Sequence, residues 1–95
     1  MSDVIEAAVA AMRGRMSGGF DGSAKFVIDG EGAIMLDAGG VRAADEPAQV
    51  TLTADVDTFR AILEGSLNPT SAFMSGKLAV DGDMGAAMRL ASALV

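Results

Sequence analysis

The sequence contains no cysteine, histidine, tryptophan or tyrosine. Without cysteine, the chain has no disulfide, no thiolate nucleophile and no cysteine-based metal site. Histidine is the side chain whose ordinary pKa suits proton transfer near neutral pH, so Ser-His and Cys-His nucleophile pairs are excluded within this chain. Catalysis would depend on a carboxylate, Lys25 or Lys77 with a strongly shifted pKa. We therefore expect a protein that is not an enzyme.

Basic residues are also scarce. Lysine and arginine together number 7 against 13 aspartates and glutamates, which gives a net charge of −6. Nucleic-acid binding needs clustered cations to replace phosphate counterions, and docking on anionic lipid needs them too. No apolar run reaches the roughly 18–20 residues of a membrane span. We expect no nucleic-acid partner and no stable membrane insertion.

Residues 1–16 carry their acids early and their arginines late, which is the reverse of a secretory signal peptide. The expected location is therefore cytoplasmic. The length of 95 residues fits one domain spanning residues 1–95. Hydrophobic residues make up 51% of it, which fits either a tightly packed alanine-rich core or a core in which some apolar side chains line a cavity.

Aspartates occur in pairs two residues apart, at Asp55 and Asp57 and again at Asp81 and Asp83. Paired carboxylates can bind a divalent cation or perform acid–base chemistry. Both pairs also stand where a helix needs an N-terminal cap, and that role is a sufficient explanation for them. We expect neither a metal site nor a cofactor.

Apolar residues three and four apart predict four helical segments. The first covers residues 3–16, with Met12 and Met16 on its buried face, and ends at Gly18-Gly19. The second begins after Asp55 or Asp57, and the third covers residues 70–75 after Asn68-Pro69. The last is capped by Asp83 and continues to the end of the chain. Its predicted apolar face holds Met84, Ala87, Met88, Ala91 and Leu94, with Leu90 and Val95 at the margins.

Alternating apolar and polar residues predict five strands, at 24–29, 33–37, 41–44, 50–55 and 77–81. Each strand has one apolar and one more polar face, which is typical of a mostly antiparallel sheet covered on one side. We predict an α+β fold of two layers, with helices on one face of a five-stranded sheet. The inward positions would be Phe26, Ile28, Ile34, Leu36, Val50, Leu52, Leu78 and Val80.

Methionines gather in the last third of the chain, where Met74, Met84 and Met88 accompany Phe73. Methionine is flexible and polarizable, so it fills irregular gaps in cores and also suits adaptable apolar binding surfaces. A lipid pocket and ordinary core packing both fit this cluster. The residues alone leave the two interpretations open.

The segment 67–78, which reads LNPTSAFMSGKL, is followed by GDMG at 82–85 and by Met88. This order resembles the sterol carrier protein 2 (SCP-2) family, whose members are lipid-transfer domains. The upstream segment 50–63, a strand followed by a helix, matches the family in order as well. The resemblance covers nearly the whole chain, and the block from the Asn-Pro turn to GDMG is its specific part.

The resemblance implies a five-stranded sheet with helices on one face and an apolar tunnel between them. It implies binding of a fatty acid, an acyl-CoA or a sterol-like lipid without chemistry. The alternative is an interaction module with a filled core, in which an apolar C-terminus docks on a partner or forms a homodimer. Carried over by position, the ligand-binding residues are Phe59, Ile62, Leu63, Phe73, Met74, Leu78, Met84 and Met88.

Overall fold

The computed structural model describes residues 3–15 and 22–94. The predicted helix end at Gly18-Gly19, together with Met16 and Val95, lies outside them, and so do the side chains of Ala91 and Leu94. No described helix has the length and hydropathy that crossing a membrane requires. The elements are α1 (Asp3–Arg15), β1 (Ser23–Ile28), β2 (Gly32–Asp37), β3 (Gly40–Ala43), β4 (Val50–Ala54), α2 (Val56–Glu64), α3 (Pro69–Met74), β5 (Ala79–Gly82) and α4 (Met84–Leu94).

The five strands form one sheet in the order β3-β2-β1-β4-β5. β1 is parallel to β4, and the other neighbouring pairs are antiparallel. The predicted five-stranded, mostly antiparallel sheet is therefore confirmed. β5 begins two residues later than predicted, because the N–H groups of Lys77 and Leu78 donate to the carbonyl of Ala72 instead of joining the ladder.

All the helices lie on one face of this sheet, as predicted. α1 packs against β2 and β3, while α4 packs against β1, β4 and β5. Phe26 stands between Ile34 and Leu52 on this face, and its ring centroid is 5.3 Å from that of Phe59 on α2. Tilted rings at this separation are a favourable aromatic arrangement. The core lies between the two layers, which confirms the α+β class.

The outer face of the sheet is crossed by the connection 44–49, which leads from the edge strand β3 past β2 and β1 to β4. Lys25 Nζ donates to Asp45 Oδ1 at 2.9 Å, and Arg42 Nη1 donates to Asp37 Oδ2 at 2.8 Å. The Arg42 guanidinium holds the pKa of Asp37 below its usual value. Met35 stands between Arg42 and Lys25 and is only 2% exposed, although its strand position had placed it on the polar face.

The inward side of α4 differs from the prediction. Leu90, which we expected at the margin, is fully buried together with Ala86, while Met84 is 48% and Met88 59% exposed. Alanine has no side chain beyond Cβ, so Ala86 and Ala87 let the helix approach the sheet closely. Leu90 follows Ala86 by one turn and fills the space below it. The methionines of α4 consequently face sideways, toward α3.

Candidate functional site: an apolar cleft between α3, β5 and α4

α3 is a short helix whose ends are fixed by local hydrogen bonds. Asn68 Oδ1 accepts from the N–H of Thr70 at 2.8 Å and of Ser71 at 3.3 Å, and Pro69 occupies the first position, where no N–H is needed. Ala72 is buried, so α3 is anchored there. Phe73 and Met74 follow it at the end of the helix and point their apolar side chains toward solvent, with 42% and 80% exposure.

The chain then turns back underneath α3. The carbonyl of Ala72 accepts from the N–H groups of Lys77 and Leu78 at 2.9 and 3.1 Å. This loop is possible because Gly76 has a φ of 82°. Leu78 is thereby held at 4% exposure below α3. β5 follows, with Val80 paired to Leu52 of β4.

Asp83 joins β5 to α4. Its backbone N–H donates to the carbonyl of Gln49 at 2.9 Å, and its carboxylate accepts from the N–H of Gly85 at 2.8 Å and of Ala86 at 3.2 Å. This is the predicted N-terminal cap of the last helix. It sets the rotation of α4 so that Met84, Ala87 and Met88, which are three and four residues apart, share the side turned toward α3.

These three elements enclose a cleft of about 220 Å³ that is open to solvent on one side. Buried Leu52, Leu78 and Ala87 lie at its floor, and the exposed ends of Phe73, Met74, Met84 and Met88 surround its mouth. We call this site the apolar cleft. Its lining residues are Leu52, Pro69, Thr70, Phe73, Met74, Leu78, Val80, Met84, Ala87 and Met88.

Among the residues that the structure describes, no charged side chain lines the apolar cleft, and Thr70 is the one lining residue with a polar side chain. The ion pairs of Lys25 and Arg42 are on the opposite face of the sheet. Within residues 3–15 and 22–94, no three His, Cys, Asp or Glu residues come together in a way that would hold a metal ion. The described lining is therefore suited to apolar groups rather than to a charged ligand.

A second groove of about 280 Å³ lies between α1 and α2. Val4 and three alanines form one wall, and Phe59 and Leu63 form the other beside the charged side chains of Arg60 and Glu64. Arg60 and Glu64 make the α1–α2 groove more polar than the apolar cleft.

The eight ligand-binding residues predicted from the sequence are thus distributed over three places. Phe59 and Leu63 line the α1–α2 groove, and Ile62, only 2% exposed, belongs to the core and lines neither cavity. The other five line the apolar cleft: Phe73, Met74, Leu78, Met84 and Met88.

Five lining residues of the cleft were not among the predicted ligand-binding residues. Leu52 and Val80 had been predicted only as inward strand positions, and Pro69, Thr70 and Ala87 were missed altogether as lining residues. Helical spacing would have found these last three. Pro69 and Thr70 each precede a predicted lining residue of α3 by four positions, and Ala87 follows Met84 by three. A search for large apolar side chains does not select them, because proline, threonine and alanine carry little apolar surface compared with phenylalanine and methionine.

A family model described as the SCP-2 sterol transfer family matches residues 8–95. The chain belongs to the SCP-2 sterol transfer family. The resemblance seen in the segment 67–88 is therefore confirmed.

Two curated relatives share part of this SCP-2 domain. Hydroxysteroid dehydrogenase-like protein 2 of Danio rerio is 40% identical over 74 residues, which cover 70% of the chain and 18% of that protein. Sterol carrier protein 2 of Rattus norvegicus is 38% identical over 72 residues, which cover 73% of the chain and 12% of that protein. The match thus spans less than a fifth of either relative.

Solved structures of SCP-2 proteins share the fold. The crystal structure of sterol carrier protein 2 like 2 from Aedes aegypti superposes with a TM-score of 0.78 at 21% identity and covers 94% of both chains. The solution structure of sterol carrier protein 2 from Aedes aegypti, in complex with the C16 fatty acid palmitate, also has a TM-score of 0.78. It is 23% identical and covers 100% of this chain and 97% of its own.

Proposed function

We propose that this SCP-2 domain binds a single acyl chain in the apolar cleft and performs no chemistry on it. The observation that carries the proposal is the cleft itself, where four large apolar side chains remain exposed around buried leucines. An exposed apolar concavity of this kind is typical of a binding site. Membership of the SCP-2 family and the palmitate complex of the Aedes aegypti relative support a lipid as the ligand.

The size of the cleft favours a flexible chain over a rigid sterol. Its volume of about 220 Å³ is below the roughly 300–1,000 Å³ of typical small-molecule sites. An acyl chain can place part of its length inside and leave the rest in the open mouth, whereas a fused ring system enters as one unit. Each buried methylene contributes about 0.8 kcal/mol, so about ten contribute about 8 kcal/mol before the costs of association. We expect micromolar affinity or weaker.

The test is titration of the delipidated protein with a fluorescent fatty acid, followed by displacement with palmitate and with cholesterol. Met88→Asp should weaken binding at least about tenfold, because a carboxylate in the apolar lining must lose its hydration when the ligand enters. Met88 is 59% exposed, so the substitution leaves the core intact. Palmitate should displace the probe at lower concentration than cholesterol.

The matched control is Ser92→Asp. Ser92 lies one turn further along α4, is exposed and does not line the cleft. The substitution adds the same charge to the same helix, and affinity should stay within about twofold of the wild type, since a carboxylate outside the lining keeps its hydration when a ligand fills the cleft. Absence of saturable binding by the wild type, or equal weakening by both variants, contradicts the proposal.

A homodimer is the second candidate function. The exposed ends of Phe73, Met74, Met84 and Met88 form an apolar patch that a second copy of the chain would also bury. Light scattering separates the two candidates, because a dimer has twice the 9.6 kDa mass of the chain and would close the mouth of the cleft. The tunnel, the cytoplasmic location and the absence of a nucleic-acid partner stay predictions.

A further inference from the structure

Three of the seven methionines stand together at the mouth of the apolar cleft. Met74 on α3 is 80% exposed, while Met84 and Met88, one turn apart on α4, are 48% and 59% exposed. By contrast, Met12 of α1 is fully buried, and Met35 is 2% exposed beneath the crossing connection 44–49. The described methionines therefore fall into two classes, and the accessible class coincides with the proposed binding site.

We propose that Met74, Met84 and Met88 are an oxidation site that controls ligand binding, with a peroxide as the oxidant. The inference deepens the proposed function and rests on it. A lone pair of the thioether sulfur attacks one oxygen of hydrogen peroxide, the O–O bond breaks, and an S–O bond forms. The sulfur loses two electrons, the peroxide is reduced, and water leaves with the remaining oxygen and both protons.

Oxidation would remove the apolar character of the lining, on which acyl-chain binding depends. Methionine sulfoxide is polar, whereas the thioether is apolar and adaptable. An incoming acyl chain would have to strip water from each new S=O group, and the described part of the lining contains no charged side chain and only Thr70 as a side-chain donor. An unpaired polar group in an apolar contact opposes burial.

The same change should leave the fold largely intact. The side chains of Met74, Met84 and Met88 are not members of the buried core cluster, whereas Leu78, Ala87 and Leu90 are. Sulfoxides at the mouth remain in contact with water when the cleft is empty. Oxidation should therefore weaken ligand binding without unfolding the protein. The change is reversible because methionine sulfoxide reductases restore the thioether.

The experiment compares the dissociation constant for a fluorescent fatty acid before and after mild hydrogen peroxide treatment of the full chain. Peptide mass spectrometry should find sulfoxide at 74, 84 and 88 ahead of 12 and 35. The dissociation constant should rise at least about tenfold, and treatment with both methionine sulfoxide reductases should restore it. Circular dichroism should show an unchanged fold.

The matched variant replaces all three residues together, as Met74→Leu, Met84→Leu and Met88→Leu. It retains Met1, Met12, Met16 and Met35, so it reports any effect of oxidation elsewhere. Each protein is compared with its own untreated sample, so a different starting affinity of the variant does not affect the comparison. Its ratio of treated to untreated dissociation constants should stay within about twofold, since leucine has no sulfur to oxidise.

Two results overturn the inference while leaving the proposed function standing. One is an unchanged dissociation constant in wild-type protein that carries all three sulfoxides. The other is an equal loss of affinity in the triple leucine variant after peroxide. If the untreated protein shows no saturable binding at all, the proposed function fails and this inference fails with it.

Discussion

Met88 and Leu90 are two residues apart on α4 and have opposite surroundings. Leu90 is fully buried in the core against the sheet, and Met88 is 59% exposed at the mouth of the cleft. Two positions on a helix differ by about 200° around its axis, so the two side chains point in nearly opposite directions. Stability and binding therefore depend on different sides of the same helix.

This separation predicts different outcomes for the same type of truncation. Leu90→Ala should lower the free energy of unfolding by about 2–5 kcal/mol, because it removes buried methyl groups and leaves a cavity. Met88→Ala should change it by less than about 0.5 kcal/mol, since the side chain is exposed. Urea unfolding followed by circular dichroism measures both, and equal losses would show that the packing of α4 described above is wrong.

At the scale of elements, Gly82 fixes how β5 meets β4 and α4. Its φ is 109°, in a region that other residues rarely adopt, and a Cβ added there would clash with the backbone carbonyl oxygen of Gln49. The same carbonyl accepts from the N–H of Asp83, which caps α4. Because Gly82 has no Cβ, the end of β5 can approach Gln49 closely enough for Asp83 to donate to the same carbonyl and to cap α4. This junction holds the side of α4 that carries Met84 and Met88 beside β5.

Gly82→Ala should consequently destabilise the protein by about 2 kcal/mol or more, through strain and steric overlap. Gly14→Ala in α1 is the matched control. Apart from the backbone of its own helix, no atom of the described residues lies within 4 Å of a Cβ added at Gly14, so alanine there should stabilise the helix by about 0.5–1 kcal/mol. Thermal unfolding measures both changes, and a stabilising Gly82→Ala would contradict the geometry of the β5–α4 junction.

Local signals in the sequence predicted most of the elements. The caps at Asp55 and Asp83, the Asn68-Pro69 turn before α3 and the alternation in the strands all correspond to structural features. The rotation of α4 was not predictable in this way, because Ala86 carries less apolar surface than Met84 and Met88 and is nevertheless fully buried. Burial there depends on how closely helix and sheet approach, which is a tertiary property.

Two outcomes on the sheet were not predicted, one because of a contact between distant segments and the other because of a tight turn after α3. Met35 is buried by a connection that crosses the outer face and is tied to Lys25 through Asp45. β5 starts late because Ala72, seven residues before Ala79, captures two backbone donors. The predicted site residues between 73 and 88, which are close in sequence, line one cleft. Phe59, Ile62 and Leu63, on the earlier helix α2, do not line it.

At the scale of the whole molecule, the ion pairs and the apolar cleft lie on opposite faces of the sheet. The Lys25 and Arg42 ion pairs occupy the outer face of the sheet, and the apolar cleft lies on the helical side near one edge strand. The α1–α2 groove on the same side carries Arg60 and Glu64. We therefore prefer the apolar cleft to the α1–α2 groove as the acyl site, because no charged side chain is among its described lining residues.

The most direct test is to locate bound palmitate by NMR in protein carrying ¹³C-labelled methyl groups on methionine, leucine and valine. We predict intermolecular NOEs from the acyl chain to the methyl groups of Met74, Met84 and Met88, and none to Met12 or Met35. NOEs to Val4, Val56 or Leu63 instead would move the ligand to the α1–α2 groove and contradict the account.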